Sequence, residues 1–323
     1  MNENIKFKDV IAARKIIYDH IKPTPLRYYA ELSDYLGFNS YIKHENHLPT
    51  NSFKIRGGIN LLKHLSKTNI KGVITASRGN HGQSLAYSSM LENIKCKIVV
   101  PYGNNPEKNV AIKSFNAELI EYGNDFDEAR EYSEKLVTNK FLYIHPCNEP
   151  KLIAGVATQT LEILTDLPEV DTIILPLGGG TEVAGAIIVA KKLKPEVEII
   201  GVQAELAPAY YLSWKTGNIV KTKSANTIAD GLATKMPYEL PSSIIMGNIN
   251  EIITVTEDEI KRSIIKLYQT THNLAEGAGA ASLAAGNKIK HKLKNKNVVM
   301  ILSGGNLDLK TFKSILNTNK NEF

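Results

Sequence analysis

The chain has 323 residues, 43% of them hydrophobic and 22% charged, with a formal net charge of +6. That length and balance allow one large core or two smaller ones without staples, which excludes disordered and small disulfide-bound classes. The positive excess comes from dispersed lysines such as Lys191, Lys192, Lys194 and the 288–296 stretch, with no Arg-rich block and no zinc spacing, so no nucleic-acid partner is expected.

The chain opens on MNENIKFKDV, which mixes charge and polarity and holds no apolar h-region. Residues 73–76, 97–101, 117–122 and 142–145 read as short apolar strands. Between them, 82–91, 107–115 and 125–136 place apolar residues at helical spacing. A second series follows, with a strand at 172–177, a helix at 182–192 and a strand at 198–204. A last strand, 297–302, precedes a helix beginning near Asp308. The alternation predicts an α/β fold of parallel sheets flanked by helices, with a first sheet within 47–146 and a second after it. The most apolar stretch, 172–190, is broken by Pro176, the glycines at 178–180 and Glu182, so no membrane span is expected. Cys96 and Cys147 lie far apart and form no CxxC, which fits a reducing, cytoplasmic setting.

Open parallel sheets bind ligands beyond the carboxyl ends of their strands. Three segments at such places carry chemistry. In Asn51-Ser52-Phe53-Lys54-Ile55-Arg56-Gly57-Gly58, the amine of Lys54 sits between apolar neighbours with a cation two residues on. A partly apolar, cation-rich setting is what turns a lysine into a nucleophile toward aldehydes. The same segment also fits a solvated lysine at a helix start, as most lysines are exposed. Ser77-Arg78-Gly79-Asn80-His81-Gly82-Gln83 follows a strand and opens a helix, so its amides and the helix dipole suit a carboxylate or a phosphate. Asn80 adds a neutral donor, and His81 fits either a base or a buried support for the turn. Leu177-Gly178-Gly179-Gly180-Thr181-Glu182-Val183 offers successive glycine amides ahead of a helix, a nest for a single phosphate monoester. Val183 stands where a dinucleotide fingerprint needs its third glycine, and no Lys-Ser/Thr pair follows as in a P-loop. A nicotinamide oxidoreductase is disfavoured accordingly. Three weaker segments, 227–231, 274–280 and 302–306, place small residues beside one polar group, as loops packed on a flat ring do, though ordinary turns explain each singly.

In order and spacing, these segments, from Lys22-Pro23-Thr24-Pro25-Leu26 to Asn306, resemble fold-type II pyridoxal-phosphate (PLP) enzymes of the threonine/serine dehydratase and serine racemase family. The resemblance implies a tryptophan synthase β-like architecture. A large PLP-binding domain would span 1–46 and 147–323, a small domain 47–146 would be inserted in it, and the cofactor would lie between them. It implies that Lys54 holds the cofactor as a Schiff base and acts in catalysis. Phe53 would lie beside the ring, Asn80 would face the phenolic oxygen, Gly178, Gly179, Gly180 and Thr181 would take the phosphate, and Ser303 would meet the pyridine nitrogen. A hydroxyl at that nitrogen makes a moderate electron sink, suited to β-elimination. Ser77, Arg78, Gly79, Asn80 and His81 would hold the substrate. The implied activity is a PLP-dependent ammonia-lyase (dehydratase). Lys54 would take the α-proton of threonine, serine or 3-hydroxyaspartate, the β-hydroxyl would leave, and a 2-oxo acid and ammonia would result. A small amino acid is the expected partner, in a homodimer or homotetramer.

Two positions depart from the family pattern. Arg78 stands where racemases of the family carry a serine as second base, and a guanidinium cannot act as that base. Arg78 fits either a fork onto a second carboxylate, as in 3-hydroxyaspartate, or a side chain turned outward to an acidic neighbour. Family members often hold a cation, for which Glu205 and the carbonyl of Ala209 match, but the third position is Tyr211, a poor ligand for Mg²⁺ or Ca²⁺. A weak or monovalent site is the most this pattern supports. A racemase, a β-replacement enzyme and a PLP-binding protein with little catalysis stay open as alternatives.

Overall fold

The computed structural model describes residues 5–318. In chain order they form α1 (Phe7–Tyr18), β1 (Leu26–Tyr28), α2 (Ala30–Leu36), β2 (Asn39–His44), α3 (Lys54–Leu65), β3 (Gly72–Ala76), α4 (Asn80–Leu91), β4 (Lys95–Val100), α5 (Pro106–Lys113), β5 (Glu118–Glu121), α6 (Phe126–Lys135), β6 (Phe141–Tyr143) and α7 (Pro150–Val156). Then follow α8 (Thr158–Asp166), β7 (Thr172–Pro176), α9 (Thr181–Leu193), β8 (Glu198–Ala204), α10 (Ala209–Thr216), α11 (Glu239–Ile245), β9 (Glu251–Val255), α12 (Glu257–Thr271), α13 (Gly277–Lys288), β10 (Asn297–Leu302) and α14 (Leu309–Thr318). No helix of the described residues is long and apolar enough to cross a membrane.

Local chemistry sets several helix starts. Asn105 accepts from the amides of Glu107 and Lys108 with Pro106 behind it, and Asp125 accepts from Glu128. Thr256 and Glu259 form a reciprocal capping box at α12. The strands β3 and β7 are buried at every position, as strands covered on both faces by helices must be.

The chain divides into two compact units, the first made of the described residues up to Lys22 together with Leu48–Thr158. Its four strands run parallel in the order β5-β4-β3-β6. Leu61, Leu62, Val73, Leu85, Ile98 and Ile112 fill one side of the sheet, and α6 brings Ala129, with Phe126 and Tyr132, to Ala76 and Val99. The family resemblance puts all of residues 1–46 in the larger domain. The structure differs at both bounds: α1 and the segment 147–158, which the resemblance also gives to the larger domain, belong to the Lys54 unit, because Ala13 and Ile17 bury themselves against Ile55, Ile59 and Ala154.

The second unit holds Pro23–His47 and the chain from Gln159 onward. Its sheet runs β1-β2-β10-β7-β8-β9. All neighbours are parallel except β1, which pairs antiparallel with β2 at the edge. The helix α13 is built of glycine, alanine and serine over most of its length, which lets it lie close on the strands; a side chain at Gly286 would meet the Met300 sulfur at 2.9 Å. A buried ion pair, Lys43 Nζ to Glu162 Oε2 at 2.7 Å, ties β2 to α8, and Lys43 also donates to the Thr24 carbonyl at 2.7 Å.

Candidate active site

Lys54 is the first residue of α3 and is half-buried, with its amine 4.8 Å from the centre of the Phe53 ring. The neighbouring helix holds its backbone, since Ser84 Oγ donates to the Lys54 carbonyl at 2.7 Å. That helix, α4, begins at Asn80, and the turn before it is closed by Ser77, whose Oγ accepts from the amides of Gly79 at 3.3 Å and Gly82 at 2.8 Å. Ser77, Gly79 and His81 are buried, Asn80 is half-buried and Arg78 is exposed. The first unit therefore gathers Lys54, Phe53 and the whole 77–81 turn into one region.

The histidine of that turn is a support. Burial first, then the charges of Lys54 and His145, push His81 down to about 3, so its ring is neutral at ordinary pH and a poor base. Its Nε2 is buried without a hydrogen-bond partner. Two further groups, one beside His81 and one beside Lys54, carry no motif in the sequence. His145 Nδ1 accepts from the amides of Cys147 at 3.0 Å and Asn148 at 2.9 Å, which places the proton of the neutral ring on Nε2. Burial lifts the Cys147 thiol to about 11 against the opposing charge of Lys54, so it is no thiolate.

The second unit contributes backbone. In its sheet β10, β7 and β8 are adjacent and parallel, so the 178–181 loop, Ser303 and Glu205 leave the same carboxyl edge. Gly180 has φ +90° and caps α9 with no side chain. A Cβ there would lie 2.6 Å from the Tyr210 hydroxyl and 2.9 Å from Pro241 Cβ. A side chain at Gly178 would strike the Gly231 carbonyl, one at Gly277 would meet Ala229 Cα at 2.8 Å, and one at Gly279 would strike the Gly304 carbonyl. The three segments that are weak singly thus close on one another and on the glycine turn. Ser303 is 2% exposed, and its hydroxyl has no hydrogen-bond partner among the described residues.

Tyr210 and Gln203 brace this turn and carry no signal in the sequence. The Tyr210 hydroxyl donates to the Gly179 carbonyl at 3.2 Å, and Gln203 Nε2 donates to the Leu177 carbonyl at 3.1 Å. Gln203 Oε1 then accepts from the Tyr211 amide at 2.8 Å. Glu205 is exposed beyond β8, while Ala209 opens α10 and its carbonyl accepts the Ser213 hydroxyl at 2.7 Å. No group of three His, Cys, Asp or Glu side chains is placed to hold a metal among the described residues.

These features fit PLP. A glycine turn with no room for side chains, ahead of a helix that no side chain caps, suits a phosphate monoester. A buried hydroxyl with no partner among the described residues suits a ring nitrogen. The family described as pyridoxal-phosphate dependent enzyme matches residues 17–304. The L-threonine ammonia-lyase of Thermotoga maritima is 36% identical over 97% of this chain and 78% of its own length. Among solved structures, processed threonine deaminase isoform 2 from Solanum lycopersicum superposes with a TM-score of 0.90 at 32% identity, over 98% of this chain and 96% of that one. Serine racemase from Dictyostelium discoideum does so with 0.88 at 35% identity, over 94% and 99%. The chain belongs to the pyridoxal-phosphate dependent enzymes, in the fold-type II family of threonine/serine dehydratases and serine racemases.

Proposed function

We propose that this enzyme is an ammonia-lyase that converts a small β-hydroxy amino acid, with threonine, serine and 3-hydroxyaspartate as candidates, to a 2-oxo acid and ammonia. Lys54 would hold the cofactor and move the α-proton, and Phe53 would lie beside the ring. Asn80 would face the phenolic oxygen, while Gly178, Gly179, Gly180 and Thr181 would receive the phosphate. Ser77 and the amides from Gly79 onward orient the substrate carboxylate. When bound, PLP supplies an electron sink for the charge left on the α-carbon.

Ser303 carries this reading. A neutral hydroxyl, 2% exposed and with no partner among the described residues, would give the ring nitrogen a hydrogen bond without the negative charge that would hold it protonated. Such a sink favours prompt loss of a β-leaving group over a long-lived carbanion. Arg78 adds weight against racemisation, because a permanently protonated group cannot take a proton from the opposite face. The likeness to serine racemase keeps the stereochemical outcome worth measuring.

The test is a panel of L-threonine, L-serine and threo-3-hydroxyaspartate given to the PLP-loaded enzyme. The expected result is 2-oxo acid and ammonia in equal amounts, with the unreacted substrate keeping its configuration. Inverted substrate without 2-oxo acid would replace the lyase reading by a racemase.

A further inference from the structure

Ser303 stands in a turn that has little means of holding itself. Gly304 and Gly305 follow it, and glycine keeps the widest backbone freedom of any residue. Within the second unit, neighbouring segments close on that turn. A Cβ on Gly305 would lie 2.9 Å from the Leu274 carbonyl oxygen and 3.3 Å from Asn46 Cβ. The Glu276 amide donates to the Gly304 carbonyl at 3.1 Å. In the sheet, His44 at the end of β2 is in register with Leu302.

One carboxamide joins these neighbours. Asn273 Oδ1 accepts from Asn46 Nδ2 at 3.1 Å and from His47 Nε2 at 2.7 Å, while Asn273 Nδ2 donates to the Thr271 carbonyl at 2.7 Å. The Thr271 carbonyl can only accept, so the amide is fixed in this orientation and His47 carries a proton on Nε2. The His47 ring is held in turn. It stacks on His44, with centroids 4.8 Å apart and planes 19° apart. His44 is fully buried, and its Nε2 meets the Tyr29 hydroxyl at 2.8 Å. Burial first, then the charge of His47, lowers His44 to about 4, so the inner ring of the stack is neutral at ordinary pH.

We propose that Asn273 is a positioning residue of the cofactor site: with Asn46 and His47 it ties the 45–47 turn to the 273–276 segment at Gly305, and so fixes where the Ser303 hydroxyl stands. This role rests on Ser303 meeting the pyridine nitrogen, as in the lyase reading. A binding constellation has to be held to within about 0.5 Å, which two adjacent glycines cannot do by themselves.

The test is a double-mutant cycle on PLP affinity. The PLP-loaded full chain is dialysed to equilibrium against a series of PLP concentrations, and the visible absorbance of the bound cofactor is read. Wild type, Asn273→Ala, Ser303→Ala and the double variant are compared. His47→Leu and His47→Gln are added, because position 47 is exposed and a change there disturbs the fold least. Asn273→Ala and Ser303→Ala are each expected to raise the Kd for PLP about fivefold, as the loss of one neutral hydrogen bond does. The double variant should bind no more weakly than Ser303→Ala, since the carboxamide acts through that hydroxyl. His47→Leu should weaken binding in the same direction, and His47→Gln, which keeps an N–H donor, should not. Losses that add in the double variant would make Asn273 a general support of the fold and overturn the assignment. Unchanged affinity in both Asn273→Ala and His47→Leu would overturn it too, with Ser303 keeping its role. Unchanged affinity in Ser303→Ala would take that hydroxyl away from the ring nitrogen, and the positioning role with it, whatever 2-oxo acid the wild type releases from L-threonine.

Discussion

The two units handle polar groups in opposite ways. Around Lys54 the first unit gathers titratable side chains, with burial lowering His81 and His145 and raising Cys147. Around the 178–181 loop and Ser303 the second unit offers glycine backbone and the neutral hydroxyls of Thr181, Tyr210 and Ser303, and its buried ion pair sits elsewhere, between Lys43 and Glu162. The difference separates two tasks. Moving a proton needs side chains whose charge can change, whereas gripping a phosphate and a ring needs fixed dipoles and close approach, which only residues without bulk permit.

Substitution of Lys54 by Ala tests the first half most severely. Turnover is expected to fall by at least about 10³-fold, since nucleophile and proton carrier go together, with loss of the Schiff-base absorbance. Residual activity at the wild-type level would remove Lys54 from its role. In the second unit, Lys43→Met leaves Glu162 buried without its cation and is expected to cost roughly 3–5 kcal/mol in urea unfolding. The pair Lys43→Met with Glu162→Leu should recover part of that loss; no recovery would mean that packing rather than charge was the cause. A methyl at Gly279 would meet the Gly304 carbonyl, so Gly279→Ala should cost about 1–3 kcal/mol and weaken PLP binding. Gly217→Ala, at φ +71° with open space around it, should cost only about 1 kcal/mol and leave PLP binding alone.

The pH dependence sharpens the contrast further. The folded pKa of His81 lies below its unfolded value of 6.5, so the unfolded chain binds the extra proton first. Stability is complete above about 6.5 and is lost as pH falls toward about 3, with roughly 1 kcal/mol gone by about pH 5.5. His44, lowered to about 4 chiefly by burial, acts in the same direction in the second unit. His81→Gln should flatten the pH profile of thermal unfolding, and an unchanged slope would mean that the ring is already protonated when folded. Ser303→Ala is expected to change stability least, by about 0.5 kcal/mol or less, because no group among the described residues loses a partner. Turnover should still fall about tenfold, and a loss of stability instead would make that hydroxyl structural.

Much of the site is legible in the order of residues along the chain. Strand ends at Ala76, Pro176 and Leu302 fall within a residue of the ends of their apolar runs, because a fully buried parallel strand is written as a short continuous apolar segment. The Ser77–His81 turn and the glycine loop follow those ends directly. The antiparallel pairing of β1 with β2 across α2 is not legible, since Asn39-Ser40-Tyr41-Ile42-Lys43-His44 is largely polar. Its burial depends on pairing Ile42 with Met300, far along the chain. Gln203 and Tyr210 escape notice for the same reason, as a brace is defined by the carbonyl it reaches and not by its neighbours in the chain.

The sequence by itself determined the alternating α/β order, the residue types at each strand end and the family, because periodicity, glycine punctuation and motif order are local properties. Only the tertiary structure decided that α1 packs with the Lys54 unit. It also decided that 227–231, 274–280 and 302–306 close on one another, that Arg78 is exposed, and that His81 is held neutral. Each of these depends on which distant atoms share a volume from which water is excluded, and burial of that kind is a property of the packed chain.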